Sequence, residues 1–305
     1  MDKTRKSIPV YSICTIREAG GGDGGMDLLN ADRFGRYLSE RGFLFQPHRH
    51  SFYHLVYFTR GGGEHSIDFV KFPVRSGQIY FMNPGQVHHW QFSPEEETDG
   101  YIINFPRELF HGPPFAGSGP EEFPFFSGHC EEQVIQLSPA TQDEAVAIFE
   151  KILQETAGNP AFGAAMIRSL LLELFIRVAR DTRSGIRGPV YRTDYPILRQ
   201  FETLVDEHYT RKRLPREYAG LLHVTPNYLN ALCTEALGKS AGAVIRERIL
   251  LEAKRLLVNA GQSISEIAFQ LNFPDNSYFS KFFKKYTGYT PEGFRKANQV
   301  GIAYN

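Results

Sequence analysis

Two groups of side chains in this sequence have the types and the spacing to do chemistry. The first is a set of histidines in the N-terminal half, which holds eight of the ten histidines of the chain. Imidazoles can ligate a transition metal or hydrogen-bond a polar ligand. The second is a set of short amides, hydroxyls and lysines near the C-terminus, and such groups can hydrogen-bond base edges and neutralise phosphates. The histidines of interest are His48, His50, His54 and His88.

The C-terminal set lies on a predicted helix that carries an aromatic stripe. Phe279, Phe282, Phe283 and Tyr286 recur at intervals of three, four and seven residues, which is the spacing of one buried helical face. Gly288 then suits a C-terminal cap. An ordinary solvated face is the alternative, because polar outer faces are usual on amphipathic helices. The residues left to face outward are Asn276, Ser277, Ser280, Lys281 and Lys284.

An upstream copy of this pattern makes double-stranded DNA the favoured partner. Thr225 suits an N-cap and Pro226 a first helical position. The stripe predicted to be buried consists of Leu229, Leu232, Cys233 and Ala236. The residues left to face outward are Asn227, Asn230, Ala231 and Thr234.

Each of these two helices follows a shorter one, and a long helix joins the two copies. The short helices are predicted within Leu214–Val224 and Ser263–Phe273, and Ser263 and Glu266 have the spacing of a capping box. Ala243–Asn259 is predicted as one helix. A rigid helix would hold the copies at a fixed distance, and the reading of successive major grooves needs a distance of roughly 34 Å.

The region from Tyr191 to Ala297 resembles the DNA-binding domain of the AraC/XylS family of bacterial transcription regulators, most specifically from Ile264 to Arg295. The resemblance implies two helix-turn-helix units whose second helices contact bases. Ala231 departs from the usual pattern, because a long polar or basic residue is common there, and an alanine can at most touch a thymine methyl. The base contacts implied are Asn227, Asn230, Ala231, Asn276, Ser277, Ser280 and Lys281.

The N-terminal half has the features of β structure. Short segments rich in aromatic and β-branched residues alternate with Gly or Pro, which favours a small barrel or jelly roll. Such barrels can enclose a ligand cavity. The predicted strands are Phe52–Thr59, Ser66–Phe72, Gln78–Met82, His88–Phe92 and Tyr101–Phe105.

Pro47–His50 and Gly77–His88 resemble the two motifs of the cupin barrel, the usual sensor module of AraC-type regulators. The resemblance implies a small-molecule effector, and aromatic faces beside hydrogen-bonding groups suit a sugar or a related metabolite. Each aromatic is also a candidate for the packed core, and strand alternation alone does not decide between the two roles. The predicted effector contacts are Arg49, His50, Tyr53, Tyr57, Tyr80, His88 and Trp90.

The histidines leave two interpretations open. Metal-binding cupins usually place a carboxylate a few residues after the paired histidines, and here His54 is the nearest substitute. Hydrogen bonding within a polar-ligand pocket is therefore favoured over metal ligation, and we predict no metal, no cofactor and no catalytic residue. The alternative function is a metal-dependent cupin enzyme fused to a DNA-binding domain.

The fold class predicted is a multidomain α+β chain with an all-α C-terminal domain. Two helices, Pro139–Ala157 and Pro160–Arg180, each carry an apolar stripe that could pack on the barrel or on a second subunit. A polar stretch with turn residues then suits a linker. The predicted divisions are 1–138 for the barrel, 139–180 for the helices, 181–194 for the linker and 195–298 for the double helix-turn-helix domain.

Charge and composition agree with this division. From Tyr191 onward the chain has 16 Lys and Arg and 11 Asp and Glu, a net charge of +5. The residues before Tyr191 include 18 Lys and Arg and 23 Asp and Glu, a net charge of −5. The three cysteines are far apart, and no apolar run approaches the roughly 20 residues of a membrane span. We therefore expect a cytoplasmic protein whose partners are DNA, a small-molecule effector, a second copy of the chain and, for activation, RNA polymerase.

Overall fold

The computed structural model describes residues 8–19, 29–92, 97–110, 119–126, 128, 130–158, 161–185, 196–258 and 261–298. The chain forms two compact units, one from Pro9 to Arg187 and one containing Gly188–Asn305. The first is rich in sheet and the second is helical, so the predicted α+β class is confirmed. We call them the sheet-rich unit and the helical unit. Residues 186–194 of the predicted linker lie outside the described residues.

The strands of the sheet-rich unit form a five-stranded antiparallel sheet in the order β10-β7-β4-β9-β2, a three-stranded sheet β6-β5-β8 and a parallel pair β1-β3. Their ladders stop at the sheet edges, so the predicted closed barrel is not confirmed for the described strands. The strands are β1 Val10–Tyr11, β2 Asn30–Arg33, β3 Arg49–His50, β4 Tyr53–Arg60, β5 Glu64–Ile67, β6 Val70–Pro73, β7 Gln78–Met82, β8 His88–Gln91, β9 Asp99–Phe105 and β10 Val134–Gln136.

The predicted strand Ser66–Phe72 was wrong, because this segment is a hairpin. Asp68 and Phe69 have φ values of 44° and 76°, and they form the two-residue turn between β5 and β6. Positive φ at both central positions gives a turn whose twist matches that of the strands. The Asp68 carboxylate accepts hydrogen bonds from Val87 N at 3.1 Å and Gln86 Nε2 at 2.8 Å, which stabilises the turn.

The five-stranded sheet is buried on both faces, because alternate residues of a strand point to opposite sides. One face packs against α3 (Pro139–Gly158) and α4 (Gly163–Gly185), and the other packs among Phe34, Ile67 and Trp90. The face toward α3 and α4 carries Tyr53, Leu55, Tyr57, Ile79, Phe81, Tyr101, Ile103 and Phe105. The opposite face carries Val56, Phe58, Tyr80, Met82 and Ile102.

The apolar stripes of α3 and α4 are buried within this chain. Phe149 stacks on Tyr101 with ring centroids 5.0 Å apart, and Phe175 packs edge-on against Phe81 at 5.9 Å. Of the two alternatives left by the sequence, packing on the sheet is therefore the one observed for these stripes. The buried stripe residues are Ala145, Ile148, Phe149, Ile152, Ile167, Leu170, Leu171, Leu174, Phe175 and Val178.

The remaining helices include two short ones in the sheet-rich unit and seven described ones in the helical unit. Helix α8 contacts each of the other six helices of its unit, so it lies at their centre. The predicted long helix is confirmed, and it buries Val244, Ile245, Ile249, Leu256 and Leu257. The helices are α1 Ile13–Ala19, α2 Phe34–Ser39, α5 Pro196–His208, α6 Pro215–Leu221, α7 Pro226–Leu237, α8 Ala241–Val258, α9 Ile264–Gln270, α10 Asn276–Thr287 and α11 Pro291–Asn298.

Helices α6 and α7, the first helical pair, are repeated as α9 and α10, the second helical pair. The turn within each pair contains one residue with positive φ, His223 at 53° and Asn272 at 55°. The backbone N–H of the following residue, Val224 or Phe273, donates to a carbonyl five residues earlier at 3.0 or 2.9 Å. The two turns therefore have the same backbone hydrogen bonds although their sequences differ.

The ends of the paired helices are fixed by side chains that the sequence predicts. Thr225 Oγ1 accepts from Tyr228 N at 3.2 Å, and Ser263 and Glu266 form the reciprocal capping box, with distances of 3.2 and 2.6 Å. Helix α10 is capped by Asp275, which the sequence analysis did not identify and which accepts from Tyr278 N at 2.7 Å. Gly288 closes this helix in the left-handed conformation, as predicted.

None of the helices in the described ranges combines the length and the apolar composition needed to cross a membrane.

We expect the substitution Gly100→Ala to destabilise the sheet-rich unit. A Cβ at Gly100 would lie 1.9 Å from the carbonyl oxygen of Tyr57, so β9 must move away from β4. Overpacking of this kind costs about 1–3 kcal/mol. Urea unfolding should detect this loss, whereas Gly42→Ala, whose Cβ would meet no atom within 4 Å, should change the free energy of unfolding by less than about 0.5 kcal/mol. Equal stability of the two variants would contradict the prediction.

Candidate DNA interface and buried histidine site

The residues predicted to face outward and contact DNA lie on the outer faces of α7 and α10. All of them are exposed except Ser280, which is half-buried. The packing faces behind them are formed by Leu229 and Cys233 in α7 and by Phe279 and Phe283 in α10, all fully buried. The exposed set is Asn227, Asn230, Ala231, Thr234, Asn276, Ser277, Lys281 and Lys284.

Tyr286 was predicted to be buried, and this was wrong, since it is 42% exposed. It lies in the last turn of α10. Its ring contacts Phe282 at a centroid distance of 5.2 Å, and the Arg246 guanidinium lies 5.2 Å from its centroid. One side of the ring is thus covered by an arginine from α8 instead of by the apolar core.

The exposed residues of the two helices occupy equivalent positions, fifty residues apart in the sequence. At these positions the first helix offers amides, a methyl and a hydroxyl, and the second offers hydroxyl and ammonium groups. Both lysines of the set are on α10, so the second helical pair carries the positive charge of this surface. The equivalent residues are Asn227 and Ser277, Asn230 and Ser280, Ala231 and Lys281, and Thr234 and Lys284.

Several of these side chains are oriented by hydrogen bonds within the helical unit. The Asn230 amide oxygen accepts from Ala241 N at 3.3 Å, so this residue also caps the start of α8. The Thr234 hydroxyl donates to the carbonyl of Asn230 at 2.8 Å, and the Ser280 hydroxyl donates to Asn276 Oδ1 at 3.2 Å. These bonds restrict the rotamers before any partner binds, which lowers the entropy lost on binding.

The two helical pairs are held together by Arg213 in addition to α8. Its guanidinium donates to the carbonyl of Asn272 at 2.9 Å and to that of Leu271, and it stacks over the Phe273 ring at 4.0 Å. Arg213 lies two residues before α6, whereas its partners form the turn between α9 and α10. The side chain therefore ties the start of the first pair to the turn of the second.

Sequence reasoning missed two exposed aromatics on the same surface. Tyr228 and Tyr278 are 49% and 56% exposed, and they too are fifty residues apart at equivalent positions of α7 and α10. Alignment of the two copies would have revealed them, because neither residue belongs to the stripe predicted to be buried in its helix. Their hydroxyls can donate to phosphate oxygens.

The predicted effector contacts divide between the two faces of the five-stranded sheet. Tyr53 and Tyr57 lie on the face that packs against α3 and α4, where Tyr57 stacks on Phe149 at 5.7 Å. Tyr80 and Trp90 belong to the opposite core. The structure therefore does not bring all seven residues together; it groups His50, Tyr80, His88 and Trp90 on the side opposite the helices, while Arg49 in β3 is half-buried.

The side chains of five histidines meet in the interior of the sheet-rich unit. His48, His50 and His88 each offer one nitrogen, and these three nitrogens lie within 4.8 Å of one another. The ring centroid of His54 lies 4.8 Å from that of His50. His65 contacts His88, with 3.1 Å between His65 Nε2 and His88 Nδ1. All five are buried.

Two of these histidines are held by oxygen acceptors. The Nδ1 of His48 lies 2.7 Å from the carbonyl of Gln46, and because a carbonyl only accepts, this nitrogen carries the proton. The Nδ1 of His54 lies 2.6 Å from Asn104 Oδ1, and the Asn104 amide nitrogen in turn donates to the Tyr37 hydroxyl at 3.1 Å. In both residues the Nε2 is therefore left with its lone pair.

Burial keeps the histidines neutral. It lowers the pKa of His48 to about 4 and that of His54 to about 3. Burial also lowers the pKa values of His50, His65 and His88 well below the ordinary value, and neighbouring imidazoles lower them further. Neutral imidazole is the form that binds a metal or accepts a hydrogen bond.

Four nitrogens in this group have no hydrogen-bond partner among the described residues: His50 Nδ1, His54 Nε2, His65 Nδ1 and His88 Nε2. A buried polar atom without a partner costs about 1–3 kcal/mol. Sequence reasoning found all the histidines except His65 and did not find Asn104. The pairing of β5 with β8, which aligns His65 with Trp90, is what brings His65 to the site, and strand pairing was not predicted.

Two family models match separate parts of the chain. An AraC-like ligand binding domain matches residues 30–175, and a helix-turn-helix domain matches residues 218–297. The first covers most of the sheet-rich unit, and the second covers both helical pairs from within α6 to α11.

The chain is similar over most of its length to transcription regulators. The arabinose operon regulatory protein of Escherichia coli is 24% identical over 268 residues, which are 85% of this chain and 87% of that protein. An uncharacterized HTH-type transcriptional regulator, YisR of Bacillus subtilis, is 23% identical over 253 residues, 81% and 86% of the two chains. The structure of ToxT from Vibrio cholerae with a bound unsaturated fatty acid matches with a TM-score of 0.44 and 13% identity, over 88% of this chain and 95% of that one.

The two family models together account for most of the chain, and the alignments with the Escherichia coli and Bacillus subtilis regulators span 87% and 86% of those proteins. The domain that carries the buried histidines is the ligand-binding one, and the domain with the two helical pairs is the DNA-binding one. The chain belongs to the AraC/XylS family of DNA-binding transcription regulators.

Proposed function

We propose that this protein binds a specific DNA sequence through two helix-turn-helix units and that a small molecule held in the sheet-rich unit controls this binding. The observation that carries the proposal is the repeated outer face of α7 and α10, with polar groups at equivalent exposed positions. A single amphipathic helix would not justify it, because any surface helix has a polar face. Two copies around one central helix form a bipartite surface that fits two grooves of DNA.

In this proposal the two units contribute unequally. The second unit combines Asn276 and Ser277 at the start of α10 with Lys281 and Lys284 further along it, so it supplies both base contacts and phosphate contacts. The first unit offers Asn227 and other short side chains without a basic residue in the predicted set. We therefore propose that the second unit supplies most of the electrostatic affinity and that the first unit adds specificity.

We place the effector on the side of the five-stranded sheet opposite α3 and α4. His50, Tyr80, His88 and Trp90 lie on that side, and they combine aromatic faces with hydrogen-bonding atoms, which suits a sugar or a related metabolite. Tyr53 and Tyr57 would then act through packing. The effector changes DNA binding only if it binds one arrangement of the protein better than another.

In this proposal the protein is a regulator without catalytic activity that acts in the cytoplasm and forms a homodimer. A dimer contact would use surfaces other than the inner stripes of α3 and α4, because these stripes are filled by the sheet. RNA polymerase is a further partner if the bound regulator activates transcription. The divisions 1–138, 139–180, 181–194 and 195–298 remain the proposed domain boundaries, although α4 continues to Gly185 and so includes the first residues of the proposed linker. A fused cupin enzyme is the alternative, and turnover of a substrate by the purified chain would support it.

Selection of binding sites from random DNA tests the proposal directly. We expect one shared site, and we expect Asn276→Ala to weaken discrimination at one or two of its base pairs by about 1–3 kcal/mol, or roughly 5- to 150-fold, since an amide that reads an adenine is lost. Asn298→Ala makes the same change on α11 and should leave the base preferences unaltered. A preference profile of Asn276→Ala identical to that of the wild type would contradict the assignment of α10.

The lysines predict a measurable dependence on salt. Lys284→Ala should reduce the slope of log K against log salt concentration by about 0.9, because one phosphate contact and its released counterion are lost. The base preferences should stay the same. Lys71→Ala removes an equal charge from the sheet-rich unit, where Lys71 binds Glu64 at 2.7 Å, and should leave the slope unchanged. Equal slopes for Lys284→Ala and the wild type would exclude a phosphate contact there.

A metabolite panel tests the sensor side. We expect at least one small molecule to change the affinity for the selected site. The Tyr80 hydroxyl donates to Gln78 Oε1 at 2.9 Å, and we expect Tyr80→Phe, which removes this bond beside the proposed effector site, to raise the concentration needed roughly 2- to 10-fold. Tyr57→Phe also removes one buried hydroxyl, but on the face toward α3, and should have a smaller effect. No response to any compound would contradict effector control, and a larger effect of Tyr57→Phe would contradict the assigned face.

A further inference from the structure

We propose that His48, His50 and His88 bind one divalent transition metal ion in the interior of the sheet-rich unit. These residues come from separate parts of the chain: His50 lies in β3, His88 begins β8, and His48 pairs with His88 in an isolated β-bridge. The backbone hydrogen bonds of that bridge, 3.1 and 3.0 Å long, fix His48 and His88 relative to each other. The site is therefore built by strand pairing and not by flexible loops.

The distances suit a single ion. Three nitrogens within 4.8 Å of one another can reach one ion with small side-chain movements. Nitrogens bound to Zn²⁺ at about 2.0–2.1 Å in tetrahedral geometry lie roughly 3.3 Å apart. His48 Nε2 and His50 Nε2 are 3.2 Å apart, so this pair already has the separation of two ligands of one ion.

The protonation states are those that a metal needs. The carbonyl of Gln46 holds the proton of His48 on Nδ1, which leaves the Nε2 lone pair directed toward the group. Such an outer hydrogen bond fixes the tautomer and raises the basicity of a ligating imidazole. His88 Nε2 is buried and has no hydrogen-bond partner among the described residues, so a bound ion would satisfy it.

His54 and His65 complete the surroundings. His54 Nε2 is also buried without a partner, and its ring centroid lies 5.2 Å from that of His88, so His54 is the residue nearest to a fourth ligand position. His65 Nε2 contacts His88 Nδ1 at 3.1 Å and would orient the His88 ring. The sequence favoured hydrogen bonding over metal ligation. The orphaned nitrogens, which only the structure reveals, reverse that preference.

The purified full chain, stripped of metal with a chelator, tests the site by titration with Zn²⁺ and with Co²⁺ in a calorimeter. We expect one ion per chain, a rise in the thermal unfolding temperature and a weakening of at least 100-fold in His88→Gln. His89→Gln is the matched control, because His89 neighbours His88 in β8 but lies outside the group, and it should bind like the wild type. Absence of binding, or equal binding by His88→Gln and the wild type, would overturn the site.

Zinc X-ray absorption on the wild-type chain keeps the test valid if His88→Gln does not fold. We expect imidazole nitrogens at about 2.0 Å in the first coordination shell. A shell of oxygen or sulfur atoms without imidazole scattering would overturn the assignment.

A regulatory role for the ion, either as the effector or as a group that binds the effector, rests on the proposed function. The existence of the metal site does not depend on the proposed function. Affinity for the selected DNA site should therefore differ between the zinc-loaded and the stripped wild-type chain, and it should not differ for His88→Gln. Zinc binding without any change in DNA affinity would overturn the regulatory role alone. Lack of a shared DNA site would count against the proposed function and leave the metal titration as the test of the site.

Discussion

Packing around helix α8 is the constraint on which the DNA-binding half of the molecule depends. Every other helix of the helical unit contacts α8. Arg213 adds a second link, from a position two residues before α6 to the carbonyls of the turn before α10. Together they fix the separation and the relative orientation of α7 and α10, which is what the simultaneous reading of two grooves requires.

The sheet-rich unit has a different requirement, which is to keep several imidazoles buried and neutral. Burial lowers their pKa values, and the oxygen acceptors at Gln46 and Asn104 set the tautomers of His48 and His54. A purely structural core would have little use for such a group, because buried nitrogens without partners oppose folding. A bound ligand would satisfy those nitrogens, and in this way the binding of the ligand becomes linked to the stability of the unit.

The helical unit could be predicted closely from the sequence because its signals are local. Helix caps act within a few residues, and Thr225 in the first copy and Ser263 in the second are examples. The period of the aromatic stripe in α10 is equally local. The histidine site depends on contacts between distant strands, and these have no local signal. Strand register determines three features that the sequence did not predict. It forms the hairpin at Asp68, and it places His65 opposite Trp90 and so beside the other histidines. It also puts Tyr57 and Tyr80 on opposite faces of the sheet. Register is set by packing that the sequence pattern alone leaves open.

Hydroxyl-radical footprinting of the full chain on its selected DNA site tests most directly the claim that two helical pairs at a fixed separation read successive grooves. The account predicts two protected patches on one face of the duplex, centred about 10 base pairs apart. A single protected patch, or two patches on opposite faces of the duplex, would contradict it.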